Sequence, residues 1–275
     1  MKNTLSNFFK RSSAFLKKDF INQSSYRLSF LLNIISIFIA VYVFFIFSKL
    51  FEGTNSYLED FGNDYFFFLI IGITLSDFVI RICSVINTEV RNYQLTGIFE
   101  EIINIKGSTV ELLSYSFLYP IFYSLLRMLI FLVFSIFVFD LNLNFENLFF
   151  IVTTIILTLI SCLGIAYIAG AYALAFKKGN PLSALNQLSV MILGGVFFPT
   201  SILPAWLGAI SQFIPITHAL EITRHLFMYG NEINEKVLSH FAYLSLLSFI
   251  LLAMGLYVCN LAIKIGKKNG TLTLY

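Results

Sequence analysis

Residues 194–224 read GGVFFPTSILPAWLGAISQFIPITHALEITR. The stretch is apolar enough for a membrane, yet it holds Pro199, Pro204 and Pro215, three of the five prolines in the chain. It closes on a polar cluster: Thr217, His218, Glu221, Thr223 and Arg224. An interior proline removes a backbone donor and clashes with the carbonyl one turn back. The segment is too broken for a plain spanning helix and too apolar for a solvated loop. How the chain enters and leaves it decides the fold.

The rest of the sequence identifies the solvent. Of 275 residues, 58% are hydrophobic and 12% charged, with a mean hydropathy of +0.83. Soluble domains carry about one-quarter charged residues. An all-α integral membrane protein is expected, because helices satisfy their own backbone groups in lipid. A span needs about 20 apolar residues. Six segments qualify: 28–51, 65–86, 114–139, 148–176, 183–199 and 238–263. The fifth runs into the proline-broken stretch. Cys83, Cys162 and Cys259 all fall in apolar segments, with no disulfide framework or metal-ligand spacing. The first 27 residues are polar and basic, so no cleavable signal peptide is expected.

Basic residues set the orientation. The N-terminal segment carries Lys2, Lys10, Arg11, Lys17, Lys18 and Arg27. Segment 87–113 carries Arg91 and Lys106, the 177–180 turn Lys177 and Lys178, and the tail Lys264, Lys267 and Lys268. The alternate loops are dominated by Glu52, Glu59, Asp60, Asp64, Asp140, Glu146, Glu232 and Glu235. Six spans put both termini in the cytoplasm. The quoted stretch then faces outside, and residues 200–230 are expected to form a re-entrant or interfacial hairpin. Pro204 and Pro215 each start a short helix, as proline does well in a first turn. Trp206 suits the membrane interface.

Two cytoplasmic elements are expected. Leu5, Phe8, Phe9, Phe15, Leu16 and Phe20 recur at helical spacing among lysines, the pattern of an amphipathic helix in the headgroup plane. Segment 87–113, NTEVRNYQLTGIFEEIINIKGSTVELL, reads as a short helix capped by Thr96, with Glu100 and Glu101 near its N-terminus. Gly107 ends it, and Ile98, Ile102 and Ile105 form its apolar face. Three charges lie inside spans: Asp77, Arg81 and Arg127. Asp77 and Arg127 fall at similar depths on consecutive spans. An Asp77–Arg127 ion pair is expected, with Arg81 free to face the inner interface. The alternative pairs Asp77 with Arg81 on its own helix and leaves Arg127 on a wet cavity.

Three features together resemble the permease subunit of ABC-2 type transporters. They are the basic amphipathic N-terminus leading through SSYRLSF, the TGIFEEI segment, and GGVFFPTSILPAWLGAISQFIPITHALEITRHLFMYG. Gly97 and Glu100 sit where that family has a Gly-x-x-Glu coupling segment. Gly107-Ser108 departs from the proline-containing turn of many relatives. The resemblance implies one transmembrane domain over 1–275: a cytoplasmic amphipathic helix at 1–27, spans one to five over 28–199, an outer hairpin at 200–230, span six within 231–263 and a tail at 264–275. It implies an exporter of the inner membrane acting on an amphipathic, drug-like, lipid or glycan substrate. Partners would be ABC ATPase subunits docked on Gly97, Glu100, Glu101, Ile105 and Lys106, a second permease copy or paralogue, and the bilayer, with no nucleic acid. The chain has no phosphate-binding loop, and GKKNGT at 266–271 has the wrong order. ATP and Mg would therefore sit on the partner ATPase, with no cofactor and no catalytic residue on this chain. The competing classes are a membrane-embedded lipid-modifying enzyme and a non-transporting scaffold. The enzyme lacks H-E-x-x-H and G-x-S-x-G motifs. The Glu221–Arg224 spacing is that of a surface ion pair.

Overall fold

The computed structural model describes residues 11–21, 27–50, 64–98, 109–176, 181–230 and 233–269, and every regular element among them is helical. Helix α1 covers 11–21. Then follow α2 (Arg27–Lys49), α3 (Tyr65–Thr96), α4 (Thr109–Tyr115), α5 (Leu118–Phe139) and α6 (Leu148–Phe176). The last four are α7 (Pro181–Leu188), α8 (Ala205–Ser211), α9 (Pro215–Tyr229) and α10 (Glu235–Asn269). Among the described residues, five helical stretches are long and apolar enough to cross a membrane: α2, α3, α4 with α5, α6 and α10.

The apolar run of α3 is mostly buried, and it packs against α2, α5, α6 and α9. Asp64 caps its start, accepting from the Phe67 backbone N–H at 3.0 Å. Its other end lies ten residues beyond the expected span. Residues 87–96 hold no glycine or proline, so the polar sequence simply continues the helix. It stops at Gly97, whose φ of 73° is a left-handed cap open to glycine without strain. Thr96 is therefore not the cap of a new helix. It lies in the last turn of α3, with its hydroxyl donating to the Asn92 carbonyl at 2.8 Å. Residues 99–108 lie outside the described residues, so the expected helix there, with Glu100, Glu101, Ile105 and Lys106, has no structural account.

The third span begins earlier than expected and is broken. The chain turns at Ser116–Phe117 between α4 and α5. Pro120 explains the break, because its ring displaces the carbonyl four residues back. Helices α6 and α10 pack along much of their length through glycine. A Cβ on Gly164 would overlap the backbone of Leu251, and one on Gly255 would overlap Gly164 itself. With no hydrophobic drive between helices in lipid, such close backbone approach supplies the association through packing.

The expected fifth span, 183–199, is not a continuous helix. Only Pro181–Leu193 is helical, and its last five residues form a π-turn in which the Gly194 N–H donates to the Ser189 carbonyl at 3.0 Å. Bends follow over 194–198, turning at Gly195 with φ 78°. The segment nonetheless runs a long way beside α3. Near its start Asn87 donates to the Ser183 hydroxyl at 3.1 Å. At its end the Tyr65 hydroxyl donates to the Phe197 carbonyl at 2.9 Å. From residue 65 to 87, α3 rises about 33 Å at roughly 1.5 Å per residue.

Candidate functional site

Three groups of candidate residues emerge. The first is the hairpin of α8 and α9. Pro204 stands at the N-cap of α8 and Pro215 is the first residue of α9, so neither ring breaks a helix. Pro199 precedes the 3-10 turn Thr200–Ile202. Trp206 is exposed on α8. The turn between the two helices reaches inward, because Ile214 and Pro215 share a cavity with Cys83, Ile165 and Leu251, all far inside long helices. Helix α9 then runs back to Gly230, whose carbonyl accepts from Asn147 at 2.9 Å.

Arg224 ties this hairpin down. It is not half of a surface ion pair: it is 1% exposed. Its Nη1 donates to the Gly195 carbonyl at 2.8 Å, and its Nη2 donates to the carbonyls of Phe68 (2.9 Å) and Val196 (3.1 Å). The guanidinium lies 3.4 Å from the centre of the Phe68 ring. Gly72 leaves the room, since a Cβ there would come within 2.7 Å of Nη2. One side chain thus joins α9, the bend after α7 and the start of α3.

Between the hairpin and α10 lies a cavity of about 540 Å³, lined among others by Thr217, His218, Glu221, Lys236 and His240. The His218 Nε2–H donates to the Gln212 carbonyl at 2.8 Å, because a carbonyl can only accept. His218 Nδ1 is then the acceptor of its 2.9 Å contact with His240 Nδ1, which donates. Burial lowers the His218 pKa, partly offset by the Gln212 carbonyl. The Thr217 hydroxyl donates weakly to the Leu193 carbonyl at 3.5 Å. His240, Lys236 and Gln212 were not singled out from sequence. His225 lies outside this group and faces Asn234 at 3.0 Å.

The second group is the intramembrane charge cluster. Arg127 Nε and Nη2 donate to Asp77 Oδ2 and Oδ1 at 2.9 and 3.2 Å, a two-pronged pair between α5 and α3. Arg127 Nη1 also donates to the Asn33 carbonyl of α2 at 3.2 Å. Arg81 does not face the inner interface unpaired. Its Nε turns back one helical turn to Asp77 Oδ2 at 3.0 Å. Both pairings weighed for Asp77 are present at once, one carboxylate taking two guanidiniums, and Arg127 is buried and not left on a wet cavity. The Tyr123 ring lies under both, 5.9 Å from Arg81 and 6.0 Å from Arg127.

The third group is a platform where the basic segments meet. Arg11 of α1 reaches Glu111 of α4 at 3.5 Å, and Phe15 packs on Tyr115 with ring centres 5.6 Å apart. Lys18 sits 3.4 Å from the Tyr93 hydroxyl and 4.0 Å from Glu89 on the extended end of α3. Ser114 and Tyr167 meet at 2.6 Å and fix α4 to α6. Of the expected coupling residues, only Gly97 is described, and it lies at this end as the cap of α3. Among the described residues no group of three or more His, Cys, Asp or Glu could hold a metal.

The model of the ABC-2 type transporter family matches residues 13–228, more than three quarters of the chain. No curated protein matches the chain. The matched range takes in the charge cluster and nearly all of the platform and the hairpin, and among the described residues every regular element is helical, with five stretches of membrane length. The chain belongs to the ABC-2 type transporter family and is a multi-pass membrane permease.

Proposed function

We propose that the chain is the permease subunit of an ATP-driven exporter in the inner membrane. It lines the path of an amphipathic, drug-like, lipid or glycan substrate, together with a second permease copy or paralogue. ATP and Mg are bound and used by separate ABC ATPase subunits. The observation that carries this reading is the family match over 13–228 of a chain with no phosphate-binding loop of its own.

The platform supports a docking role. Helix α1, the extension of α3 and α4 meet at one end, so movement of the 97–111 connection is transmitted to three helices at once. Residues Gly97, Glu100, Glu101, Ile105 and Lys106 form the proposed ATPase contact. The reach of 181–199 beside about 33 Å of α3 matches a hydrocarbon core of roughly 30 Å, which supports a broken sixth crossing. Irregular backbone is tolerated at that depth where protein covers it, and the bend at 194–198 is covered by Arg224 and Tyr65. An even number of crossings returns both termini to the cytoplasm. The hairpin 200–230 is then outer and re-entrant, with Trp206 at the interface.

The test uses the tagged chain isolated from its native membrane with its ATPase and placed in liposomes. Glu100→Lys is expected to abolish stimulated ATP turnover while leaving insertion intact. Wild-type turnover in an assembled Glu100→Lys complex overturns the docking role. An isolate with no ATP turnover at all overturns the transporter reading.

A further inference from the structure

The charge cluster does not balance. Asp77 carries one negative charge, while Arg81 and Arg127 carry two positive ones, and among the described residues the carboxylate that pairs with either guanidinium is Asp77. An arginine inside a span costs about 2.5–3.5 kcal/mol on insertion scales unless something compensates it. The two arginines are placed differently. Arg127 is 5% exposed and uses Nε, Nη1 and Nη2 on Asp77 and Asn33. Arg81 is 35% exposed and spends only Nε on Asp77. The guanidinium sits 5.9 Å from the centre of the Tyr123 ring, and the side chain stays partly open.

The open side of α3 is itself polar. Over the middle of α3 the accessible positions are Ile73, Asp77, Ile80, Arg81, Ser84 and Thr88, a single helical stripe on an otherwise buried helix. A stripe holding two charges and two hydroxyls does not face lipid tails. It faces water or a partner. Arg81 also does not escape toward a headgroup region, because its Nε is held back toward Asp77. Beside it, Tyr123 lies 5.9 Å from the guanidinium and stacks on Tyr119 with ring centres 5.9 Å apart. A fixed cationic fork next to an aromatic and apolar wall fits an anionic head group with an attached tail.

We propose that Arg81, seated by Asp77 and backed by Arg127, binds the anionic head group of an amphiphile, a phosphate or similar oxyanion, on the α3 stripe. The inference deepens the exporter reading and rests on it, since the stripe then faces the transport path. A guanidinium presents paired N–H donors matched to such an oxyanion.

The test reads binding, not transport. Thermal unfolding of the full chain is followed in neutral maltoside micelles with dodecyl phosphate, dodecyltrimethylammonium or inorganic phosphate added. A ligand of the folded state raises the midpoint. Dodecyl phosphate is expected to raise it by several degrees in the wild type and in Lys264→Gln, and by less than a third of that in Arg81→Gln. Arg81→Lys should keep part of the shift. Dodecyltrimethylammonium should raise none of them. An equal shift in Arg81→Gln, or an equal shift with the cationic amphiphile, overturns the proposal. An equal shift with inorganic phosphate assigns the site to a free anion and overturns the amphiphile. Loss of ATP-linked turnover with binding intact would strike the exporter reading alone, so the two failures are distinguishable.

Discussion

Arg224 and Arg81 are both arginines set among apolar helices, and they are handled in opposite ways. Arg224 is fully enclosed, with three backbone carbonyls and an aromatic face around it. All of those partners are fixed parts of the fold, so the residue works as a clamp. Arg81 shares a carboxylate that Arg127 already occupies and leaves part of its guanidinium open. A charge saturated by backbone builds structure, whereas a charge left over in a polar stripe is available to a ligand. The difference lies in partner count and exposure, and residue type alone does not show it.

Removing the clamp is the sharpest way to break this contrast. Arg224→Met strips three buried carbonyls of their donor. At roughly 1–3 kcal/mol for each unsatisfied buried group, the loss is on the order of 3–9 kcal/mol. Thermal unfolding in detergent should fall sharply, and protease should cut within 195–215 before the rest of the chain. Arg224→Lys should recover only part, since one ammonium does not span three carbonyls. A stable, protease-resistant Arg224→Met would show that the hairpin is held elsewhere.

The charge cluster should respond less. Asp77→Asn leaves two arginines facing each other and is expected to cost about 2 kcal/mol, below the range for breaking a fully buried pair because the site is partly open. Arg127→Gln should cost a similar amount. The double variant should be less destabilised than the sum of the two, by about 1 kcal/mol, as the coupling of directly paired groups requires. Strict additivity in a double-mutant cycle would mean that the pair seen between α3 and α5 contributes nothing.

The smallest effect expected is from pH at the hairpin. Burial holds the His218 pKa below the ordinary value, so the folded chain binds fewer protons there than the unfolded chain. That contribution to stability is fully present above about pH 6.5 and is lost as pH falls toward the folded pKa. The His240 contact acts in the same direction, since a proton on both Nδ1 atoms opposes donor to donor. A midpoint that drops between pH 6.5 and 5 in the wild type should flatten in His218→Gln. An unchanged slope in that variant assigns the pH response to other groups.

Much of this architecture was legible where a single local rule governs. The bounds of α6 at 148–176 follow from its apolar run, and Pro204 and Pro215 mark helix starts because ring and missing donor suit a first turn. The extension of α3 was not legible from hydropathy, since NTEVRNYQLT leaves the apolar region without any helix-breaking residue before Gly97. The break at Ser116 was legible in principle, from the effect of Pro120 one turn upstream. The failure of 183–199 as a regular span was not, because a π-turn leaves no periodic mark, although Gly194-Gly195 hints at the bend. At the site, depth matching put Asp77 opposite Arg127. It could not show that Arg81 would share the same oxygen. Arg224 was misread because its i, i+3 spacing from Glu221 suits a surface pair. The room made by Gly72 lies 152 positions away in sequence and becomes meaningful only once the helices are packed.

A broken sixth span over 181–199 would turn five long helices into a permease with both termini inside. Single cysteines at Lys17, Trp206 and Asn269 test it with a membrane-impermeant thiol reagent, the native Cys83, Cys162 and Cys259 being buried. Labelling of Trp206→Cys in intact cells, with Lys17→Cys and Asn269→Cys labelled only after permeabilisation, is the predicted result. Labelling of Asn269→Cys in intact cells while Lys17→Cys stays protected would mean an odd number of crossings and would rule out the broken sixth span.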